Sequence, residues 1–398
     1  MDLLINPSKL KGNISVIPSK SQAHRLLICA AFADKPTVLY CEDTNRDIDA
    51  TAACLNAMGA FIRRTTTGYE ITPVKEPVEK ATLPCRDSGS TLRFLLPVAG
   101  ALGIDATFQM EGRLAKRPLS PLWEEMERMG CTLSYVEDNR LHCRGKLRSG
   151  EYCIDGSVSS QFISGLLFAA SLIPGENRIT ITGKIESRPY IDMTQNAMEI
   201  FGRTSDNFTV AGGMSFISPM EQKVEGDWSN GAFFLAANAL SNDITVENLS
   251  AVSIQGDKAA ADLIVKLEEH CTICAADIPD LVPILSVVAA CNKGAVFSNI
   301  QRLRLKESDR VASVIAMLRA LGGNAEATED TLTVYGTGLT GGTVDSVNDH
   351  RIAMSAAIAA TACKAPVILC GAQCVEKSYP RFFEEYRRLG GNYEQYLR

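Results

Sequence analysis

The sequence predicts an α/β protein of two domains, each built from three copies of one β/α unit. Two observations support this prediction. A polar cluster followed by a long apolar run occurs six times, and an amphipathic helical pattern accompanies each copy. Short runs such as RITITG, DITVENL and PVILCG lie between the helical patterns, and their β-branched residues are typical of strands.

The six apolar runs predict buried helices with capped N-termini. They begin at Ser19 (SKSQAHRLLICAAFA), Asp87 (DSGSTLRFLLPVAGA), Ser159 (SSQFISGLLFAASL), Asp227 (DWSNGAFFLAANAL), Ile278 (IPDLVPILSVVAA) and Asn348 (NDHRIAMSAAIAA). A helix that is apolar on nearly all faces must be buried on nearly all faces, so we expect three such helices inside each domain. Hydroxyl and acidic side chains at a helix start accept hydrogen bonds from its free N–H groups.

Six amphipathic helices are predicted around the apolar ones, and glycine supplies a left-handed C-cap for most of them. Their patterns are DATAACLNAMGA, LSPLWEEMERMG, YIDMTQNAMEIFG, KAAADLIVKLEEH, SDRVASVIAMLRALGG and YPRFFEEYRRLGG. The interval between the fourth and fifth apolar runs is shorter than the others, which predicts a domain junction near Gly226. From this spacing the first strand could belong to either half; we expect a discontinuous domain of residues 1–18 plus 226–398 and a second domain of residues 19–225.

The composition indicates an ordinary soluble protein. Of its 398 residues, 46% are hydrophobic and 22% are charged, and the formal net charge is −6. This charge makes a broad nucleic-acid surface unexpected, and no apolar run is long enough to predict a membrane span. The thirteen cysteines lie mostly in apolar runs, which is typical of reduced thiols in a core. We expect a cytoplasmic monomer without nucleic-acid or membrane partners.

Basic residues occur near the starts of apolar helices, where the helix dipole disfavours cations. Lys20, Arg25, Arg93 and Arg351 all lie within a turn or so of such a start. If the apolar helices of a domain run roughly parallel, their N-termini converge and form a site for anions. A bound multivalent anion would offset the cost of placing cations there. Simple capping explains the polar residues of any single copy equally well.

Two further segments contain acidic candidates. RLRLKESDR holds Lys306, Glu307 and Arg310, and it is either part of an anion site or a solvated helix start with local ion pairs. Asp280 lies between apolar residues and prolines in IPDLVPIL, so it is either an N-cap or a general base for a substrate hydroxyl. Motifs of P-loops, serine hydrolases, zinc proteases and dinucleotide-binding folds are missing from the sequence.

Taken in order, the motifs PSKS…R, DGSVSSQF, SRPYIDMT, LKESDR and NDHRIAM resemble the EPSP synthase family, the 3-phosphoshikimate 1-carboxyvinyltransferases. The resemblance covers almost the whole chain. It implies a two-domain inside-out α/β barrel of six repeated units, three per domain, with the active site in the interdomain cleft. It also implies transfer of the enolpyruvyl group of phosphoenolpyruvate to the 5-hydroxyl of shikimate 3-phosphate, a step of chorismate and aromatic amino-acid biosynthesis, without a metal or organic cofactor.

The same resemblance implies roles for individual residues. The implied ligands of shikimate 3-phosphate are Lys20, Ser21, Arg25, Ser159, Ser160, Gln161, Ser187, Asp280 and Lys306. The implied ligands of phosphoenolpyruvate are Lys20, Gly89, Arg117, Gln161, Arg310, Arg351 and Lys377. Asp280 is similar to the family's hydroxyl base and Glu307 to the acid near the substrate methylene. Lys20 is implied to share proton transfer and His350 to support it.

Two positions depart from the common family pattern, and two other functions compete. The chain has DSGS from Asp87 where many relatives have Asn-Ala-Gly-Thr, and it has Arg302 where some members have asparagine. The first alternative is the sister transferase that uses UDP-N-acetylglucosamine, although the segment around Arg117 lacks its usual reactive cysteine. The second is a non-catalytic helical-repeat scaffold, which would not require cations at the starts of apolar helices.

Overall fold

The computed structural model describes residues 1–397, and in it the chain folds into two compact units. We call residues 18–224 the continuous unit, and residues 1–17 together with the chain from 225 onward the discontinuous unit. The junctions follow residues 17 and 224, whereas the sequence predicted them after residues 18 and 225. No helix within the described residues is long and apolar enough to cross a membrane.

Twelve α-helices occur within residues 1–397. They are α1 Lys20–Ala31, α2 Arg46–Ala57, α3 Gly89–Leu102, α4 Leu122–Arg128, α5 Ser160–Leu172, α6 Arg188–Ile200, α7 Trp228–Ala239, α8 Ala260–Lys266, α9 Val282–Cys291, α10 Arg310–Ala320, α11 His350–Ala360 and α12 Phe382–Arg388. Short 3₁₀ helices lie at Leu114–Lys116, Gly256–Ala259, Gln301–Leu305 and Ala372–Lys377. The odd-numbered helices are the six predicted apolar helices, and the even-numbered ones are the six amphipathic helices.

The predicted N-caps are confirmed for five of the six apolar helices. The side chains that accept a hydrogen bond from a first-turn N–H of α1, α3, α5, α7 and α11 are those of Ser19, Ser88, Ser159, Asp227 and Asp349. Helix α9 instead begins after Leu281, makes no side-chain cap hydrogen bond and has Pro283 in its first turn. Asp280 is therefore not an N-cap, and its side chain is free for other contacts.

Glycine follows most amphipathic helices, as predicted. Helix α4, for example, is capped by Met129, and Gly130 then adopts a φ of +117°, which favours glycine. Helix α10 is followed in the same way by Gly322, with a φ of +84°. Helix α8 is shorter than its pattern predicted, since the 3₁₀ turn Gly256–Ala259 replaces its first residues and no glycine follows it.

The strands within residues 1–397 are short. They are β1 Leu3–Asn6, β2 Lys11–Ser15, β3 Thr37–Tyr40, β4 Phe61–Arg64, β5 Gly68–Thr72, β6 Lys80–Arg86, β7 Asp105–Met110, β8 Cys131–Glu137, β9 Arg140–Gly145, β10 Glu151–Asp155, β11 Gly175–Thr182, β12 Thr209–Gly212, β13 Glu221–Lys223, β14 Asp243–Glu247, β15 Cys271–Cys274, β16 Ala295–Ser298, β17 Asn324–Ala327, β18 Thr331–Tyr335, β19 Gly342–Asp345, β20 Val367–Cys370 and β21 Asn392–Gln395.

Within residues 1–397, each unit contains three sheets. Those of the continuous unit have the orders β13-β3-β5-β4, β6-β7-β9-β8 and β10-β11-β12, and those of the discontinuous unit β19-β20-β1-β21, β15-β16-β18-β17 and β14-β2. In each four-stranded sheet the first pair is parallel and the next two pairs are antiparallel. The two smaller sheets contain the beginning of the same pattern.

Four apolar helices connect the two parallel strands of one sheet. Helix α3 connects β6 to β7, α5 connects β10 to β11, α9 connects β15 to β16, and α11 connects β19 to β20. Helices α1 and α7 differ because the strands before them are exchanged. Strand β2 precedes α1 but pairs with β14, which follows α7, and β13 precedes α7 but pairs with β3, which follows α1.

Each unit has its own apolar core around its odd-numbered helices. In the continuous unit, Phe94 of α3 packs edge-on against Phe168 of α5 with ring centroids 5.8 Å apart. In the discontinuous unit, Phe234 of α7 packs against Tyr379 and Phe382 at 6.1 and 5.9 Å. Burial of one such side chain stabilises a fold by about 1.5–3 kcal/mol, so these helices hold their polar N-terminal residues on rigid supports.

Candidate active site

The N-termini of the three apolar helices in the discontinuous unit meet at Arg351. This residue lies in the first turn of α11, and its Nη1 donates a hydrogen bond to the main-chain oxygen of Ser229, in the first turn of α7, at 3.1 Å. Its Nη2 donates to Oδ2 of Asp280, directly ahead of α9, also at 3.1 Å. The predicted convergence of helix starts is thus confirmed within this unit.

Arg310 connects three carboxylates beside this point. Its Nη1 lies 2.6 Å from Oδ1 of Asp280, its Nη2 lies 2.8 Å from Oε2 of Glu307, and its Nε lies 2.9 Å from Oδ2 of Asp349. The side chains of Arg310 and Asp349 are 1% and 0% exposed, whereas those of Asp280 and Glu307 are 21% and 17% exposed. The buried Asp349 therefore anchors the guanidinium of Arg310 at Nε, and the Nη atoms of Arg310 contact the two partly exposed carboxylates.

The two arginines determine the ionisation of Asp280. Burial by itself raises the pKa of this carboxyl, but Arg351 and Arg310 outweigh burial and hold the pKa well below its usual range. Burial lowers the pKa of Arg310, and Asp349, Glu307 and Asp280 reverse this effect, so that the pKa is raised overall. Asp280 is therefore a stable carboxylate and a weak base as long as both ion pairs persist.

Three further predicted site residues lie in the discontinuous unit. Burial lowers the pKa of Lys306 to about 8, although Asp280 opposes this shift. His350 is buried as the first residue of α11, and Lys377 is buried at the end of the 3₁₀ helix Ala372–Lys377. This unit thus holds every predicted catalytic residue except Lys20.

Two guanidinium groups converge on Gly89, the first residue of α3 in the continuous unit. A Cβ atom built on Gly89 would lie 2.6 Å from Nη1 of both Arg93 and Arg117. The side chain of Gln161 accepts a hydrogen bond from Arg93 at 3.1 Å and donates one to Ser90 at 2.9 Å. The buried Nε of Arg117 has no hydrogen-bond partner within residues 1–397. Two cations at one helix start are typical of an anion site.

Arg25 connects the starts of α1 and α6. Its Nε donates to Oγ1 of Thr194 at 2.8 Å, and its Nη atoms donate to the main-chain oxygens of Ser21 and Tyr190 at 2.5 and 2.7 Å. Burial lowers the pKa of this guanidinium to about 10. Three of its N–H groups therefore have protein acceptors, which fixes Arg25 and places Ser21 near the first turn of α6. Ser187, the residue before α6, is buried with a φ of +54°.

Ser159 and Ser160 share the start of α5 with Gln161. Oγ of Ser159 accepts a hydrogen bond from the N–H of Gln161 at 3.3 Å, so this hydroxyl serves as the cap. Ser160 is buried, and Gln161 is half-buried and contacts Arg93. The cap thus uses one hydroxyl, and the side chain of Gln161 connects α5 to the cluster around Gly89.

Lys20 forms an ion pair that the sequence did not indicate. Its Nζ lies 3.1 Å from Oδ2 of Asp47, with side-chain exposures of 14% and 6%. Asp47 lies in the first turn of α2, where an acidic residue is ordinary for electrostatic reasons. Its sequence context therefore offered no sign that it contacts Lys20.

Other important residues were also missed in the sequence. Asp349 was visible in NDHR, but an acidic residue before a helix indicates a cap, and only the fold shows that it also binds Arg310. Arg93 was recognised as a cation near a helix start, but no ligand was assigned to it. Ser229 contributes a main-chain oxygen, which no sequence pattern could reveal.

These features define a class of protein: an α/β protein with guanidinium groups at the starts of its apolar helices, and with a network of carboxylates and guanidinium groups in its discontinuous unit. The EPSP synthase (3-phosphoshikimate 1-carboxyvinyltransferase) family model matches residues 4–386. The chain belongs to the EPSP synthase family.

Relatives and solved structures agree with this assignment. The 3-phosphoshikimate 1-carboxyvinyltransferase of Clostridium perfringens (strain ATCC 13124) is 40% identical over 417 residues, covering 98% of each chain. That of Clostridioides difficile (strain 630) is 36% identical over 431 residues, covering 99% of this chain and 98% of the relative. An EPSP synthase structure from Acinetobacter baumannii superposes with a TM-score of 0.80 at 24% identity, covering 99% of both chains, which shows a shared mixed α/β fold.

Proposed function

We propose that this chain transfers the enolpyruvyl group of phosphoenolpyruvate to the 5-hydroxyl of shikimate 3-phosphate and releases phosphate. Membership of the EPSP synthase family over residues 4–386 is the observation that carries the proposal. The cationic helix starts support it, because each substrate carries both phosphate and carboxylate. The relatives' names favour neither the UDP-N-acetylglucosamine transferase nor the helical-repeat scaffold.

Shikimate 3-phosphate is proposed to bind the residues that the family motifs indicate. These are Lys20, Ser21, Arg25, Ser159, Ser160, Gln161 and Ser187 of the continuous unit, and Asp280 and Lys306 of the discontinuous unit. The contacts of Arg25 with Ser21 and Tyr190 support this set, because they bring the starts of α1 and α6 together. Two of the five N–H groups of Arg25 are not used in its contacts with Thr194, Ser21 and Tyr190, and they remain for the ligand.

Phosphoenolpyruvate is proposed to bind Lys20, Gly89, Arg117, Gln161, Arg310, Arg351 and Lys377. The approach of Arg93 and Arg117 to Gly89 supports the first part of this set. Arg310 and Arg351 support the second part, since both present Nη atoms to Asp280, which an incoming anion can replace. We propose Arg93 as a further ligand of this substrate, because it approaches Gly89 and contacts Gln161.

The chemistry requires proton transfers in two directions. Asp280 takes the proton of the 5-hydroxyl, and Glu307 with Lys20 delivers a proton to the methylene carbon of phosphoenolpyruvate. The oxygen then bonds to the central carbon and gives a tetrahedral intermediate. Loss of a methyl proton and expulsion of phosphate restore the enol double bond, and the arginines stabilise the charge on the leaving group. His350 is proposed to support these transfers.

Asp280 becomes an effective base only when its arginines find other partners. Its pKa is well below the usual range because Arg351 and Arg310 outweigh burial. The carboxylate and phosphate groups of phosphoenolpyruvate are stronger acceptors for these guanidinium groups than one carboxylate. Substrate binding would therefore weaken both ion pairs and raise the pKa of Asp280 at the moment when a base is needed.

Phosphate release tests the proposed function directly. Purified protein is incubated with phosphoenolpyruvate and either shikimate 3-phosphate or UDP-N-acetylglucosamine, without added metal. We expect release only with shikimate 3-phosphate. Release only with the sugar nucleotide would replace this proposal by the sister reaction, and no release with either acceptor would contradict enolpyruvyl transfer altogether.

Replacing Gly89 by alanine is expected to raise the KM for phosphoenolpyruvate by roughly ten- to a hundredfold. The new Cβ would meet Nη1 of Arg93 and Arg117 at 2.6 Å, and these flexible side-chain ends must move away from the ligand. Displacing one hydrogen bond to a charged group costs about 1.5–3 kcal/mol. Steady-state kinetics with both substrates provides the control, because the KM for shikimate 3-phosphate should stay within about threefold of wild type. Equal increases in both constants would contradict the placement of Gly89 at the phosphoenolpyruvate site.

The kcat/KM for shikimate 3-phosphate is expected to fall above pH 8. Burial lowers the pKa of Lys306 to about 8 despite Asp280, so this cation is lost as the pH rises through that value. Because kcat/KM reports ionisations of the free enzyme, the decline should approach tenfold per pH unit. Lys306→Arg keeps its charge and should shift the decline to higher pH, whatever its absolute activity. Identical profiles for the two proteins would show that another group titrates.

We propose that the two units are the two predicted domains of an inside-out α/β barrel, a proposal supported by the repeated strand order and by three apolar helices per unit. The thirteen free thiols support a cytoplasmic location. A monomer is supported by exposed apolar side chains on separate elements, such as Phe61, Val136 and Val252. Light scattering tests the oligomeric state.

A further inference from the structure

The segment from Ser250 to Asp257 is hydrogen-bonded to the start of α7. The indole Nε1 of Trp228 donates to the main-chain oxygen of Ser250 at 3.1 Å, and the main-chain N–H of Trp228 donates to Oε1 of Gln255 at 3.1 Å. Nε2 of Gln255 donates in turn to the main-chain oxygen of Gly226 at 2.9 Å. These contacts fix the first turn of α7 from outside the helix.

Asp257 ends this segment as a buried carboxyl that contacts Ser229. Asp257 is only 2% exposed, and its Oδ2 accepts a hydrogen bond from Oγ of Ser229. The main-chain oxygen of the same Ser229 accepts from Nη1 of Arg351, whose Nη2 contacts Asp280. One serine therefore joins Asp257 to the arginine that the proposed function assigns to phosphoenolpyruvate.

We propose that Asp257 is a positioning residue that acts through Ser229 to orient Arg351 towards an anionic ligand. The inference rests on the proposed function for the identity of that ligand. Asp257 itself has no proposed contact with substrate. Asp257 acts by holding Ser229 in place. The main-chain oxygen of Ser229 accepts the hydrogen bond from Nη1 of Arg351, and so it orients the Arg351 guanidinium.

The charges around Asp257 give the proposal a measurable pH dependence. Burial raises the pKa of Asp257 to about 7, Asp280 and Asp227 act in the same direction, and Arg351 and the hydrogen bond from Ser229 oppose it. Above pH 7 the carboxyl becomes negative and attracts Arg351 more strongly. Arg351 then binds an external anion less strongly, so the KM for phosphoenolpyruvate should rise across this interval.

Kinetics between pH 6 and 8.5 separate positioning from simple support of the fold. For wild type we expect the KM for phosphoenolpyruvate to rise severalfold above pH 7 while kcat changes little. Asp257→Asn still accepts from Ser229 but cannot ionise, so its KM should be constant across this step. Asp257→Ala should raise the KM by about tenfold at every pH, the effect of losing one hydrogen bond. Asp262→Asn, an exposed change on α8, serves as the control and should behave as wild type.

A second measurement does not depend on catalysis. The ¹⁵N resonance of the Arg351 Nε, assigned by its loss in Arg351→Lys, is followed against pH without substrates. We expect it to titrate near pH 7 in wild type and Asp262→Asn but not in Asp257→Asn. The proposal would be overturned if the resonance titrated in the same way in Asp257→Asn. It would also be overturned if the wild-type KM for phosphoenolpyruvate did not change between pH 6 and 8.5. If wild type releases no phosphate, the proposed function fails, and the resonance alone still decides the role of Asp257.

Discussion

Replacing Asp280 by asparagine is expected to lower kcat for phosphate release by about 10²–10⁴-fold, the usual contribution of a general base. The amide cannot accept the proton of the 5-hydroxyl. The substitution also removes the carboxylate that now contacts Arg310 and Arg351 at 2.6 and 3.1 Å. Because a competitor for both guanidinium groups is gone, inorganic phosphate should bind more tightly than it does to wild type.

Lower kcat together with tighter phosphate binding distinguishes a base from a residue that only supports the fold. Calorimetric titration with inorganic phosphate measures the second effect independently of turnover. Asp243→Asn, on a side chain that is 78% exposed and pairs with Lys11, is the matched control and should change neither quantity. A kcat within threefold of wild type for Asp280→Asn would exclude Asp280 as the base.

Replacing Arg310 by methionine is expected to lower the free energy of unfolding of the discontinuous unit by about 3–5 kcal/mol. Arg310 is 1% exposed and binds Asp349, which is 0% exposed, so its loss leaves a buried carboxylate without its cation. Asp349→Asn in the same chain should restore part of this energy. Asparagine caps a helix about as well as aspartate, so α11 keeps its cap while the uncompensated charge is removed.

The two tryptophans allow this effect to be assigned to one unit. Trp123 lies in the continuous unit and Trp228 in the discontinuous unit, and the sequence contains no others. In a Trp123→Phe background, fluorescence during urea unfolding therefore reports on the discontinuous unit. Arg319→Met, an exposed change on the same helix, serves as the control. Arg319→Met should shift the urea midpoint little. A shift for Arg310→Met as small as that of Arg319→Met would contradict the role of Arg310 as an anchor.

The helices were predictable from the sequence because their signals are local. Apolar runs beginning at residues such as Ser19 and Ser159 contain both the burial pattern and the cap, and both are confirmed. Helix α8 was predicted too long because the periodicity of its pattern does not distinguish a 3₁₀ turn from an α-helical one. Strand pairing across the two junctions was not predicted, since short strands carry no information about distant partners.

The site was predictable where chemistry and motif coincide, but its connections were not. The cations at helix starts indicated anions, and the family motifs suggested individual residues. The partners Asp47 and Asp349 resemble ordinary first-turn and capping residues, so their ion pairs with Lys20 and Arg310 emerge only from the fold. The low pKa of Asp280 likewise depends on two arginines distant in sequence, which no local pattern reveals.

Because residues 1–17 belong to the discontinuous unit, the order of synthesis determines when each sheet can form. The continuous unit has all its strands once Lys223 of β13 has left the ribosome. After Lys223, strand β1 must still wait for β20, which begins at Val367, and at about 5–20 residues per second this further delay is roughly 10–30 s. During that time the edges of β1 are unpaired and open to wrong partners, whereas β2 can pair earlier, once the chain has been made as far as Glu247 of β14. Residues 1–17 thus precede the continuous unit in synthesis but can join their sheets only after it.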